Sequence, residues 1–153
     1  VVHELAFDGV TLARPNADIV AALRSGDVRT VIVCPSNPLI SVEPILSIPG
    51  MREAIKASGA PVVAVSPIIG GQAVKGPTAK MMRELGLEAS AAGVAACYGD
   101  LLDGYIVDHA DADSVGSVGA RVTNARTLMK SLDDREMLAR VTLDAADALA
   151  PRR

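Results

Sequence analysis

Two loops carry residues whose types and spacing suit an anionic ligand, and the first is Pro35-Ser36-Asn37-Pro38. Proline fixes φ and asparagine tolerates unusual backbone angles, so this turn should be stiff. Ser36 and Asn37 can donate to phosphate oxygens or to a base edge, and free N–H groups at the next helix start favour an anion. The alternative is that both side chains bond only their own turn. The composition of the loop does not decide between these interpretations.

The second loop is Ser66-Pro67-Ile68-Ile69-Gly70-Gly71, with Lys75 shortly after it. Paired glycines adopt positive φ and let the backbone approach a ligand closely. Lys75 could add a point charge for phosphate. The spacing matches neither the GxxxxGK[ST] of a P-loop nor the GxGxxG of a dinucleotide-binding turn. A plain connecting loop with a solvated lysine is the alternative.

Other residues with catalytic or metal-binding side chains lack the spacing for such roles. Five aspartates lack the alternate positions and terminal Glu of a calcium loop, which predicts solvated surface charge: Asp100, Asp103, Asp108, Asp111 and Asp113. His3 and His109 have no Ser, Cys or acidic partner recognisable from the sequence, so a catalytic triad is not supported. Cys34 and Cys97 have no CxxC spacing and predict two buried reduced thiols, which is typical of a cytoplasmic protein. No residue is therefore predicted to bind a metal.

The composition indicates one α/β domain over residues 1–153. Half of the residues are hydrophobic but only 2% are aromatic, so the core must be aliphatic, with Tyr98 and Tyr105 inside it or at its rim. A net charge of −3 provides no basic surface for duplex nucleic acid, and binding of single strands would need aromatic residues. The apolar runs are far shorter than the roughly 18 to 20 residues of a membrane span. Neither nucleic acid nor membrane is therefore expected as a partner.

Strand and helix patterns alternate along the chain. Two β-branched runs predict parallel strands buried on both faces, and a helix between them completes a βαβ unit over residues 29–67: RTVIVCP, PVVAVSP and PGMREAIKASGA. Further strands are predicted for VVHELAF, at an edge, and for LLDGYIVD and ARVTNARTLM. Further helices are predicted for ARPNADIVAALRSG, PTAKMMRELGLE, SAAGVAACYG and SLDDREMLARVTLDAADALA. The first of these starts at Pro15-Asn16 and the last is capped by Ser131 or Asp133.

Both candidate loops follow predicted strands of the same sheet. In an open parallel sheet, ligands bind in the crevice beyond the carboxyl ends of the strands. We therefore expect the loop at Ser36-Asn37 and the loop from Ser66 to Gly71 to line one cleft. This shared position is the strongest functional indication that the residues themselves provide.

Three segments, taken in their order and spacing, resemble the 2-phospho-L-lactate transferase family (CofD-like): PSNPLISVEPILSIPGMREAI, APVVAVSPIIGGQAVKGP and YGDLLDGYIVDHAD. The resemblance extends from Phe7 to the final helix. Enzymes of this family complete the phosphodiester of the deazaflavin coenzyme F-420. They transfer a phospho-lactyl, phospho-enolpyruvyl or related group from a guanosine-diphospho donor to the hydroxyl of the deazaflavin Fo and release GMP.

The resemblance implies a Rossmann-like three-layer α/β/α fold with a mainly parallel sheet, and a homodimer. It implies Mg²⁺, which neutralises phosphate charge in such displacements. It also implies that Ser36, Asn37, Gly70, Gly71 and Lys75 contact the nucleotide. Residues 98–108 match a family motif to which no catalytic role is assigned.

The chain departs from the family in length, because relatives run to about twice its size. Their N-terminal half holds a glycine-rich nucleotide loop and the acidic residues that bind metal and position Fo. With no initiator methionine, the chain is expected to be the C-terminal part of a transferase, to lack the N-terminal half of the fold and to be inactive alone. Two alternatives stay open: a CofD-like regulatory protein that binds nucleotide-sugars, and a non-catalytic piece that supplies fold and dimer surface. The regulatory proteins have a loop closer to GPGS where this chain has PSNP, and they lack SPIIGG. Both features of this chain favour the transferase.

Overall fold

The computed structural model describes residues 1–74 and 76–149, in which strands and helices alternate. The strands are β1 (Val31–Val33), β2 (Val62–Val65), β3 (Ile68–Ile69), β4 (Gln72–Ala73), β5 (Gly104–Asp108) and β6 (Arg121–Ala125). The helices are α1 (Ala17–Arg24), α2 (Glu43–Leu46), α3 (Met51–Ala57), α4 (Thr78–Glu84), α5 (Ala91–Tyr98) and α6 (Leu132–Asp147). Shorter 3₁₀ turns cover Val10–Leu12, Gly99–Leu101 and His109–Asp111, and a π-helical turn covers Pro38–Val42.

The central sheet has the strand order β1-β2-β5-β6, and all its pairs are parallel. Since β1 and β2 are parallel neighbours joined through α2 and α3, the predicted βαβ unit is confirmed. The middle strands β2 and β5 are buried almost throughout, as their apolar runs predict. The prediction of burial on both faces is wrong for β1, where Ile32 is 39% exposed. This strand lies at the edge of the sheet.

Apolar side chains pack on both faces of the sheet. Along β2, Val62 and Ala64 belong to a larger cluster, whereas Val63 and Val65 belong to a smaller one. This alternation is the period-2 pattern of a strand covered on both sides. The larger cluster includes side chains of α1, α3, α4 and α5, and the smaller one includes side chains of α6. The fold is therefore the expected Rossmann-like three-layer α/β/α arrangement.

Local signals place several helices where the sequence predicts them. Asn16 caps α1 by accepting hydrogen bonds from the N–H groups of Asp18 and Ile19. At the start of α6, Ser131 accepts from the N–H of Asp134, and the Asp134 carboxylate accepts from the N–H of Ser131. This reciprocal capping box fixes the first turn of α6, which lies beside the cleft described below.

The predicted N-terminal strand is wrong, because residues 1–7 form neither strand nor helix. Their side chains are mostly exposed, and the N–H of Val2 donates to Oε2 of Glu84 at 2.9 Å instead of joining a ladder. A weakly alternating run becomes a strand only beside a pairing partner. Among the residues that the structure describes, no helix is long and apolar enough to cross a membrane.

Candidate functional site

A cleft of about 490 Å³ opens at the carboxyl ends of the parallel strands. The segments after β1, β2 and β6 line it together with the start of α4 and the first turn of α6. Its described lining residues are Pro35, Ser36, Asn37, Ile40, Ser41, Ser66, Pro67, Ile69, Val74, Gly76, Pro77, Thr78, Thr127, Met129 and Arg135. Both predicted loops therefore meet in one cleft, as their positions after neighbouring strands indicate. Its volume is typical of a site for a small molecule.

Ser36 and Asn37 both line the cleft but differ in how their side chains are engaged. Oδ1 of Asn37 accepts from the N–H groups of Leu39 at 2.9 Å and Ile40 at 3.3 Å, so Asn37 caps the turn that follows. Its Nδ2 lies 3.7 Å from Sδ of Met81. The half-buried Ser36 hydroxyl forms no hydrogen bond within residues 1–74 and 76–149. Ser36 therefore offers a free polar group, whereas the oxygen of Asn37 serves its own turn.

Gly70 and Gly71 form the turn of a small antiparallel hairpin, β3–β4, where the sequence predicts only a loop. Their φ angles are +57° and +72°, and a two-residue turn with both φ values positive favours glycine. Their N–H groups donate to the two carboxylate oxygens of Asp111 at 3.0 and 3.3 Å. These groups are therefore engaged within the protein.

The hairpin places Gly70 and Gly71 apart from Ser36 and Asn37, although all four are predicted to contact the nucleotide. Gly70 and Gly71 line a second depression, of about 450 Å³, together with Lys80 and Arg83. Their neighbours Ile69 and Val74 face the cleft instead. The structure thus brings Ser36 and Asn37 together in the cleft and places the glycine pair outside it. Lys75 lies outside the described residues.

The prediction of solvated charge is wrong for three aspartates, because strand and turn N–H groups need acceptors. Asp111 is buried and holds the hairpin, while Oδ2 of Asp103 accepts from the N–H of Val62 at 2.8 Å. Oδ2 of Asp108 accepts from the N–H of Thr127 at 2.8 Å and from its hydroxyl at 3.1 Å. Burial raises the pKa of Asp108, but the hydrogen bonds from Thr127 and from the N–H of Ala110 outweigh it and lower the pKa overall.

The strand β5 therefore positions two walls of the cleft from its carboxyl end. Asp108 is the last residue of β5 and holds Thr127, which lines the wall after β6. Asp111 lies in the next turn and holds the hairpin wall. Within the described part of the chain, no group of three or more His, Cys, Asp or Glu side chains could bind a metal ion.

Among the described lining residues of the cleft, Arg135 is the one with a charged side chain. The sequence motifs do not identify it as a site residue. It lies at the end of the first turn of α6 and forms no ion pair with any described residue. The sequence does contain a signal: a cation near a helix N-terminus is disfavoured by the helix dipole. Such a residue has no obvious role in stabilising its own helix.

The tyrosines and cysteines lie apart from the cleft lining. Tyr98 and Tyr105 are buried in the larger cluster, as predicted. Cys34 is exposed, so the prediction of a buried thiol is wrong for it, because β1 is an edge strand. Cys97 is half-buried and its thiol donates to the carbonyl of Gly93 at 3.3 Å. Burial raises the pKa of the Cys97 thiol, which disfavours its reactive thiolate form.

Comparison with known proteins relates the sequence of this chain to transferases. The family model of the 2-phospho-L-lactate transferase CofD matches residues 1–145. A phosphoenolpyruvate transferase of Kitasatospora aureofaciens is 41% identical over 143 residues, which cover 91% of this chain and 44% of that protein. The 2-phospho-L-lactate transferase of Methanosarcina barkeri is 39% identical over 144 residues, which cover 92% of this chain and 45% of that protein.

A more distant relative shows the same extent of matching. The 2-phospho-L-lactate transferase of Methanocaldococcus jannaschii is 34% identical over 148 residues, which cover 97% of this chain and 46% of that protein. The chain thus spans slightly less than half the length of the curated relatives it matches. Because the family model covers nearly the whole sequence, the chain belongs to the 2-phospho-L-lactate transferase CofD family.

Proposed function

We propose that this chain forms the donor-binding side of a transferase in coenzyme F-420 biosynthesis. The reaction moves a phospho-lactyl or phospho-enolpyruvyl group from a guanosine-diphospho donor to the deazaflavin Fo and releases GMP. The observation that carries the proposal is the cleft of about 490 Å³ at the strand ends, in a chain of the CofD family. The chain matches relatives named phosphoenolpyruvate transferase and relatives named 2-phospho-L-lactate transferase. The proposal therefore includes both transferred groups.

Transfer of a phosphoryl-linked group depends mainly on positioning and on charge stabilisation. The acceptor oxygen of Fo forms a bond to the transferred phosphorus, the bond from phosphorus to the GMP oxygen breaks, and the acceptor proton passes to solvent. In the cleft, the Ser36 hydroxyl is free to donate to a donor oxygen, and Nδ2 of Asn37 can donate beside it. The apolar wall formed by Ile40, Ile69 and Met129 can pack against the nucleoside and exclude water.

The described residues do not fit the magnesium ion that the family resemblance implies. No carboxylate is among the described lining residues of the cleft. The nearby Asp108 and Asp111 accept hydrogen bonds from N–H groups and hold the cleft walls. Magnesium therefore stays part of the proposal as an ion of the reaction, without an assigned ligand in this chain. The homodimer that the resemblance implies is testable by sedimentation at several protein concentrations.

Calorimetric titration tests the proposed donor site. GDP is expected to bind more tightly than a UDP-sugar, and Ser36→Ala is expected to weaken GDP binding several-fold through loss of one hydrogen bond. Ser117→Ala is the matched control, because Ser117 is exposed and lies outside the cleft. A preference for the UDP-sugar would contradict the transferase and favour the regulatory alternative. Product formation from activated donor and Fo, followed by chromatography, is expected to be absent for this chain alone, and robust turnover would overturn the expectation that it is inactive by itself.

A further inference from the structure

We infer that Arg135 binds an oxyanion of the donor and supplies positive charge to the cleft. The inference rests on the proposed function, since it concerns the same cleft, and it names a residue that neither the sequence motifs nor the family resemblance assigns. The shared chemistry is a negatively charged oxygen group, either the diphosphate of the nucleotide or the carboxylate of the transferred group. A planar guanidinium binds both kinds of group through paired N–H donors.

Arg135 has neutral side chains around it among the described lining residues of the cleft. A cleft that receives a diphosphate needs positive charge, and Arg135 is the cation among its described lining residues. Its other lining neighbours are neutral, so within the described residues the guanidinium meets no competing carboxylate there.

Two acids of neighbouring segments, Asp134 and Asp108, already accept hydrogen bonds from other groups. Asp134 binds Arg126 at 3.0 Å and accepts from the N–H groups of Lys130 and Ser131. Asp108 accepts from Thr127. At the positions one helical turn from Arg135 the chain has Ser131, Leu132, Leu138 and Ala139, none of which is acidic. Helical neighbours therefore provide no ion pair for Arg135.

The position of Arg135 in α6 is unfavourable for a cation. A cation at the end of the first helical turn faces the positive end of the helix dipole, which costs stability on the order of a few tenths of a kcal/mol. Ligand binding would explain why an arginine that lowers the stability of the fold is present here. Its removal should then weaken ligand binding and, in the opposite direction, maintain or raise the stability of the fold. Loss of charge should weaken binding of the ligand while leaving the fold as stable or more stable. If Arg135 had a purely structural role, its removal would instead lower the stability of the protein.

Isothermal titration of wild type, Arg135→Gln and Arg135→Lys with GDP, GMP and phosphoenolpyruvate tests the inference. Arg135→Gln is expected to weaken the binding of at least one of these ligands roughly ten-fold or more. Arg135→Lys is expected to restore part of the lost affinity. Selective loss of GDP binding assigns the diphosphate, and loss of phosphoenolpyruvate binding assigns the transferred group. The salt dependence of the affected affinity should become shallower in Arg135→Gln.

Arg140→Gln provides the matched control, since Arg140, like Arg135, is an exposed arginine of the same helix but lies outside the cleft lining. Its ligand affinities should equal those of wild type, and the melting temperature of Arg135→Gln should not fall. If wild type binds GDP and Arg135→Gln binds every ligand equally well, this inference is overturned and the proposed function stands. If wild type binds none of the three ligands, both are overturned. A lowered melting temperature with unchanged affinity would show a structural role instead.

Discussion

The buried carboxylate of Asp111 lies 3.0 Å from the backbone nitrogen of Gly70, which is 41 residues earlier in the chain. This contact joins the turn after β5 to the β3–β4 hairpin, whose residues Ile69 and Val74 line the cleft. Asp108, three residues before Asp111, holds another wall through Thr127. Acceptors at and just after the end of one buried strand thus hold two segments that line the cleft.

Replacement of Asp111 by Asn is expected to destabilise the protein by about 1–3 kcal/mol. The amide keeps one acceptor but directs N–H donors at a site where Gly70 and Gly71 both donate. Urea denaturation measures the loss. Asp113→Asn is the control, because Asp113 is exposed on the same segment. Equal stability of the two variants would show that the carboxylate does not hold the hairpin.

The stability lost on substitution of Gly70 is expected to depend on the backbone preference of the new residue rather than on the size of its side chain. Its φ is +57°, and a Cβ added there would meet no atom within 4 Å. Gly70→Ala should therefore cost about 1–2 kcal/mol from backbone strain, whereas Gly70→Asn should cost less, because Asn tolerates the left-handed region. Thermal denaturation of both variants measures this order. A larger loss for Asn than for Ala would point to steric crowding instead.

Removal of the two buried tyrosine hydroxyls is expected to have opposite effects. The hydroxyl of Tyr98 is buried without a hydrogen-bond partner among the described residues, so Tyr98→Phe should leave stability unchanged or raise it by about 1 kcal/mol. The hydroxyl of Tyr105 donates to the carbonyl of Ala91 at 2.8 Å, so Tyr105→Phe should cost about 1 kcal/mol. Chemical denaturation of this matched pair measures both values. Similar losses in both variants would indicate a partner for Tyr98.

The capping carboxylate of Asp134 is expected to make stability depend on acid pH. Hydrogen bonds from the N–H groups of Lys130 and Ser131 lower the pKa of Asp134 below its ordinary value of 3.8, and Arg126 adds to this despite the opposing effect of burial. A lowered native pKa contributes stability that is present above the unfolded value and is lost as the pH falls through the native value.

Asp134→Asn should therefore show a smaller decline in stability below about pH 4, measured by denaturation from about pH 7 to about pH 2. Asp133→Asn is the matched variant, since Asp133 is exposed in the same helical turn and has no part in the capping box. An equally steep decline in wild type and Asp134→Asn would assign the acid sensitivity to other groups.

Local and non-local features differ in how far the sequence predicts them. The caps at Asn16 and Ser131 are predictable because each acts within three residues of itself. The buried strand β2 is predictable from its β-branched run. The meeting of the two loops follows from the topology of a parallel sheet.

The remaining features depend on contacts between distant parts of the chain. The engagement of Gly70 by Asp111 cannot be inferred from either segment, since glycine pairs serve equally in ligand loops and in hairpin turns. The exposure of Ile32 follows from the position of β1 at the sheet edge, which its own residues do not specify. Arg135 reaches the cleft only because α6 packs beside the ends of the strands.

The cleft brings together Ser36 and Arg135, which lie in segments near opposite ends of the chain. An unfolded chain keeps such segments apart, so a ligand that contacts both binds the folded state alone. By mass action, such a ligand at one hundred times its dissociation constant would add about 2.7 kcal/mol to the free energy of unfolding. The melting temperature of the protein therefore reports occupancy of the cleft, and compounds that bind there can be identified before any substrate is available.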